Sequence, residues 1–195
     1  MPAHYSLTET EEAVRRRLGS IAVHWEALAV VSNLYRAAAA VRQHLENSAL
    51  RTADLTWSAF VVLWVVWIWE EIETRYAAAE AGISKGTLTG IVKTLESRGL
   101  MGRHPHPEDG RLVLLRLTDD GLALMEKLFP AFNLEEAFVT GALDREETMR
   151  LADMLRRIVT HLEAHGESRR DDLRRRVPVP PRRGGRRPNA IAARH

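Results

Sequence analysis

Between residues 8 and 46, apolar side chains recur at steps of three and four. Leu18, Ile21, Ala22, Trp25, Leu28 and Ala29 are followed by Val31, Leu34, Tyr35, Ala38, Val41 and Leu45. That spacing marks one face of an α-helix. Thr8 is placed to cap it, with Glu9, Glu11 and Glu12 at the positive end of the helix dipole. Gly19 offers a break, so the segment reads as one long helix or as two. A helix this long finds little to pack against in one small chain, and a second copy would supply the missing surface.

Further along, Asn47 to Asp54 is polar and reads as a connection. Thr56 then caps an apolar helix running to about Glu70. Its unbroken apolar run, Ala59 to Trp69, has 11 residues, whereas a membrane span needs roughly 20, so it reads as a core helix. An Ala-rich helix, Glu73 to Ala81, stops at Gly82. Ser84 opens the next, 84–98, which Gly99 closes. From Leu100 to Leu117 the pattern changes to two prolines, an Asp109-Gly110 turn and the β-prone stretch Leu112–Leu117, which predicts a small hairpin. Thr118 caps another helix, with Asp119 and Asp120 in its first turn, and Pro130 is expected to kink or divide it. Asp144 caps a last helix whose buried stripe is Leu151, Leu155, Ile158, Val159 and Leu162. Gly166 is expected to end it.

Helix, tight turn, helix and hairpin in that order outline a winged helix-turn-helix, so the expected fold is mainly α with a small β-hairpin wing, flanked by N- and C-terminal helices that the family resemblance set out below implies are dimerisation helices. Its parts are an N-terminal dimerisation region (1–54), a DNA-binding domain (55–120), a C-terminal dimerisation region (121–166) and a disordered Arg/Pro-rich basic tail (167–195).

The turn Ala81-Gly82-Ile83-Ser84 carries the functional signal. Gly82 can take a left-handed conformation, Ile83 would point into the core, and Ser84 would cap the second helix and turn its amides outward. On that helix Leu88, Ile91, Val92 and Leu95 share one side. Ser84, Lys85, Thr87, Thr89 and Lys93 offer short donors and cations on the other, as a helix entering a major groove requires. Gly86 and Gly90 each cost about 1 kcal/mol against Ala in a helix, which a close approach of backbone to DNA would rationalise. The hairpin adds Arg103, His104, His106 and Arg111. Arg111 is placed for a narrow minor groove, and Asp109 is placed to accept a hydrogen bond from it.

These pieces together resemble the MarR (multiple antibiotic resistance) family of regulators. The likeness begins at Leu55-Thr56 and continues through Gly82-Ile83-Ser84, Thr87, Thr89 and the run Ile91 to Leu100. It then takes in His106-Pro107-Glu108-Asp109-Gly110-Arg111 and ends at Leu117-Thr118-Asp119-Asp120-Gly121. The resemblance implies a homodimer whose first and last helices intertwine, a palindromic operator, recognition helices in successive major grooves and wings in the flanking minor grooves. It leaves room for release by a small effector bound between the dimerisation and DNA-binding lobes. The Ala-rich helix before the turn and the basic tail depart from the family pattern.

Charge and composition sharpen this picture. The net charge is +2. From Glu167 onward ten arginines face three carboxylates, a tail of +7, which leaves residues 1–166 at −5. DNA binding by the body must then use a local patch. With no cysteine, disulfides, thiolate catalysis and thiol-based sensing are excluded. No Gly-x-Ser-x-Gly motif or phosphate-cradling loop occurs, so no enzyme, cofactor or metal is expected. His161 and His165 are spaced i,i+4, but the His-Glu-x-x-His arrangement is absent because residue 162 is Leu and Glu163 is one place off, so they read as exposed helix-end histidines. No signal peptide is seen, and the cytoplasm is the expected compartment, with no membrane partner. Five tryptophans favour core packing, with Trp25 and Trp64 named as neighbours of any ligand pocket. The leading expectation is a sequence-specific repressor. The alternative is an architectural protein that holds DNA non-specifically through its tail.

Overall fold

The computed structural model describes residues 5–176, which divide into two compact units between Thr140 and Gly141. In the first unit, α1 (Leu7–Leu18) and α2 (Trp25–Leu45) are the two helices that a break at Gly19 allows, and Gly19 ends the first of them. The cap of α1 is Ser6, not Thr8. Ser6 accepts from the Glu9 amide while its own amide donates to the Glu9 carboxylate, a closed capping box. That hydrogen bonding holds the exposed Glu9 carboxyl below its usual range. A π-helical turn, Glu46–Leu50, continues α2 where a connection was expected.

Helix α3 (Trp57–Trp69) is capped by Thr56, and Glu46 reaches across to accept from the Trp57 amide at 2.8 Å. It runs through the centre of the core: Phe60, Val62, Leu63, Val65 and Val66 are all buried. Strand β1 (Glu71–Glu73), absent from the sequence reading, follows and leads into α4 (Thr74–Glu80). Helix α5 (Lys85–Ser97) comes next, then β2 (Met101–Pro105) and β3 (Val113–Leu117). The expected hairpin is thus part of a three-stranded antiparallel sheet in the order β1-β3-β2. Glu71 pairs with Arg116 across β1 and β3, and their side chains form an ion pair.

Helix α6 (Asp119–Val139) passes through Pro130 undivided. Pro130 is exposed, while Met125, Leu128 and Phe132 are buried on either side of it, and that packing offsets the lost backbone bond. Phe132 stacks on Phe60 at 4.2 Å and Phe129 on Trp64 at 4.8 Å. His44 of α2 meets Glu135 of α6 at 2.6 Å. The most completely buried side chains, Leu45, Leu50, Leu63, Leu95, Leu115 and Met125, come from six different segments and make one core.

The second unit holds α7 (Arg145–Arg176). Asp144 and Glu147 close a capping box at its start. The helix does not stop at Gly166. Ser168 donates to the His165 carbonyl, and Arg174–Asp171 and Arg175–Asp172 pairs carry the helix on, against a cost of about 1 kcal/mol for one glycine. Residues 167–176, expected to be disordered, are therefore helical. The rest of the proposed tail lies outside the described residues. No residue of α7 is buried, so the stripe expected to be covered, Leu151 to Leu162, lies partly or wholly open. Among the described residues no helix is long and apolar enough to cross a membrane.

Candidate nucleic-acid interface

Helices α4 and α5 are joined as the sequence predicts. Gly82 has φ +63°, the left-handed region where a side chain is strained. The Ile83 amide reaches back to the Ala78 carbonyl at 3.0 Å, and Ile83 packs half-buried against the core. Ser84 caps α5 by accepting from the Thr87 amide at 3.1 Å. Leu88, Val92 and Leu95 are buried and fix which face of α5 points outward.

With 3.6 residues per turn, the middle of that outward face is Gly86, Gly90, Lys93 and Ser97. Lys85 and Thr89 flank it on one side, Thr87 and Thr94 on the other. An added Cβ at Gly90 would meet nothing within 4 Å, and one at Gly86 would find only Ser84 Oγ, at 3.9 Å. Nothing among the described residues therefore requires glycine at either position. The hydroxyls of Thr89 and Thr94 donate to the carbonyls of Lys85 and Gly90, which leaves their lone pairs outward. Ser84 and Thr87 share a hydroxyl contact at 2.8 Å, so both point to the same end of the helix.

Arg98 holds the far end of α5. Its guanidinium donates to the carbonyls of Ala53 and Asp54 at 2.8 and 2.7 Å, and so ties α5 to the loop before α3. Asp54 has φ +50°, an uncommon conformation outside glycine, and that loop is the one Arg98 grips. The sequence reading gave Arg98 no role, because its partners are carbonyls 44 and 45 residues away.

The wing brings the remaining candidates together only in part. Arg103 pairs with Glu96 of α5 at 3.3 Å and lines a small concavity with Lys85, Thr89, Thr74 and Val113, so it faces the helix rather than the wing tip. The His104 ring lies against Gly102, 3.2 Å from where a Cβ would stand. His106 is a structural clasp: its Nδ1 accepts from the amides of Glu108 and Asp109 at 3.2 and 3.3 Å. The tip closes with the Leu112 amide donating to the Asp109 carbonyl, which puts Gly110 and Arg111 at its centre. Asp109 does accept from Arg111, at 3.0 Å, but from its backbone amide and not its guanidinium. The Asp109 side chain therefore shapes the turn and leaves the arginine side chain exposed. Lys85, Lys93 and Arg111 form no ion pair among the described residues.

Between residues 84 and 111 five cations stand against three carboxylates, although the body as a whole is acidic. Lys85 and Lys93 on the helix and Arg111 at the wing tip are all exposed, so the local excess of positive charge lies at the surface.

The two tryptophans named for a ligand pocket are not brought together. Trp25 lines a cavity between α1 and α2. Trp64 instead packs against Phe129 and Trp67, a half-buried part of the core.

Comparison with known proteins follows the same lines. The MarR family model matches residues 55–113. The uncharacterized HTH-type transcriptional regulator YwaE of Bacillus subtilis (strain 168) is 32% identical over 162 residues, 82% of this chain and 95% of its own length. BpsR of Bordetella bronchiseptica, whose DNA binding is regulated by 6-hydroxynicotinic acid, shares the fold with a TM-score of 0.62 at 26% identity. That match covers 67% of this chain and 98% of its own. A mutant MarR from E. coli, solved with operator DNA, agrees in fold with a TM-score of 0.63 at 23% identity, over 68% of this chain and 95% of its own.

Proposed function

Because the chain belongs to the MarR family of DNA-binding transcriptional regulators, we propose that it binds a palindromic operator as a homodimer and represses transcription there until a small ligand releases it. One observation carries the reading: the outward midline of α5 holds Gly86 and Gly90, which no contact among the described residues requires, together with Lys93, and short hydroxyls and Lys85 flank it. A helix so shaved can press its backbone deep into a major groove, with Ser84, Lys85, Thr87 and Thr89 at base edges and phosphates and Lys93 on the backbone. Arg111, at the apex of a turn clasped by His106 and Asp109, is placed to follow a neighbouring minor groove.

Homodimerisation is supported by apolar surface that one chain leaves open. On α2, Val30, Val31 and Leu34 are 55%, 64% and 37% exposed, and on α7 Met154, Val159 and Leu162 are exposed as well. Surface of that kind marks an interface. Ligand release is supported by BpsR, the relative in fold that a small aromatic acid controls. The repressor sign and the cytoplasmic setting rest on the family resemblance.

Selection of bound duplexes from a random pool at fixed salt tests this. The expected product is an inverted repeat, bound at least a thousandfold more tightly than random DNA. Recovery of no motif, with affinity that tracks only salt, would favour the architectural reading instead.

A further inference from the structure

We propose that His161 and His165 of α7 form a two-imidazole clamp for a divalent transition-metal ion such as zinc. The sequence argues only against a catalytic zinc helix, because the His-Glu-x-x-His pattern is absent. It also offers another reason for histidines at these positions, the negative pole of a helix ending at Gly166. The structure removes that reason. Helix α7 runs on to Arg176, so both histidines lie well inside it.

The geometry suits a metal. Residues four apart stand one above the other on a single helix face. The two ring centres are 5.0 Å apart, with their planes at 54°. A zinc ion about 2.1 Å from one nitrogen of each ring stands about 3.2 Å from each ring centre, and a tetrahedral angle between the two bonds then sets the centres about 5.2 Å apart. The rings already stand close to that spacing, and both are open to solvent. No third histidine or carboxylate joins them among the described residues, so the remaining coordination positions stay with water. A pair of imidazoles selects zinc, copper or nickel and passes over magnesium and calcium, which take oxygen ligands. Arg157 and Arg169, one turn to either side, repel a dication, so the chelate alone must hold it. The wing histidines do not make a rival pair. The His104 ring lies against Gly102, and His106 Nδ1 already accepts from two amides.

The clamp would act on the helix that carries it. In an α-helix the His165 amide donates to the His161 carbonyl. A metal would join the same two residues a second time, directly before Gly166, the residue least suited to a helix in this stretch. It would thereby brace the extension of α7 that runs from Glu167 to Arg176. Binding depends on α7 alone and not on the regulator function.

The test titrates the full chain, without a histidine tag, with zinc chloride and with magnesium chloride by calorimetry in a buffer that does not bind metals. One zinc per chain and no binding of magnesium are expected. In the NMR spectrum zinc should shift the ring signals of His161 and His165 and leave those of His24, His44, His104 and His106 in place. His161→Ala and His165→Ala should each weaken zinc binding at least tenfold without lowering the melting temperature, since both side chains are exposed and alanine is the better helix former. Glu163→His combined with His165→Ala keeps all eight histidines but sets the two rings on different sides of the helix, and it should bind as weakly as the single variants. At saturating zinc, amide exchange at Gly166 and Glu167 should slow at least threefold in the wild type and not in His165→Ala. Wild-type affinity in the rearranged variant, a loss of less than tenfold in both alanine variants, or ring shifts confined to other histidines overturns the clamp. Zinc that shifts both rings without slowing exchange at Gly166 overturns the bracing of α7.

Discussion

Replacing Gly90 with alanine separates folding from recognition. Within the chain the change is favourable: the new methyl meets no atom within 4 Å, and the helix gains about 1 kcal/mol from the better residue. For a chain of this size that raises the melting temperature by about 2–4 °C. Against DNA the sign reverses. Gly90 lies at the centre of the outward face of α5, so the methyl sits between backbone and duplex. Forcing an extra carbon into a close-packed contact costs about 1–3 kcal/mol. A dimer meets this penalty twice, about 2–6 kcal/mol in all, a loss of affinity of about thirtyfold at the lower limit. The assay pairs thermal denaturation with fluorescence anisotropy on the selected operator. A protein that melts higher and still binds the operator with wild-type affinity would show that α5 does not approach DNA along its glycine face. A protein that melts lower would show that the space around Gly90 is not open.

Four further predictions follow the same logic. Gly121→Ala should destabilise the fold by about 1–3 kcal/mol in chemical denaturation, because its Cβ would stand 2.0 Å from the Leu100 carbonyl oxygen and the gain in helix propensity is smaller than that clash. Arg98→Ala should cost about 1 kcal/mol in the same measurement by freeing the Ala53 and Asp54 carbonyls, and Arg98→Lys should recover only part, since one ammonium cannot span both. Arg111→Ala should weaken operator binding at unchanged melting temperature, whereas His106→Ala should weaken it through a loosened tip, seen as faster amide exchange at Glu108 and Asp109. Removing residues 177–195, with five arginines, should flatten the dependence of log affinity on log salt, and an unchanged slope would leave that segment without a role in binding.

The parts of the fold that the sequence made legible are those set by neighbours in the chain. Ser84, Thr56, Thr118 and Asp144 each cap the helix that follows them, and Gly82 turns left-handed where two helices meet, because caps and turns are decided within four residues. What stayed hidden depends on distant partners. Strand β1 has only three residues and exists because β3 lies beside it. Pro130 is tolerated because Phe132 and Leu128 are held by the core. The grip of Arg98 and the contact of Gly121 with Leu100 join segments that the sequence cannot show to be close. In the candidate site the residue types were legible, but their partners were not. Asp109 and His106 form hydrogen bonds within the turn, and Arg103 is drawn to Glu96. The long apolar stripes of α2 and α7 were read as covered, and a single chain leaves much of them open.

The order β1-β3-β2 has a mechanical result. The middle strand is held along both edges, and it runs without a break into Thr118, whose amide and hydroxyl are fastened to Leu100 and Gly99. The wing is thus a lever arm with a clamped hinge, not a loose flap. Five extended residues make an arm of about 17 Å, so a tilt of roughly 5° at the base of α6 swings its tip by about 1.5 Å. Any event that reseats α6 by that small angle would shift Arg111 by a comparable distance.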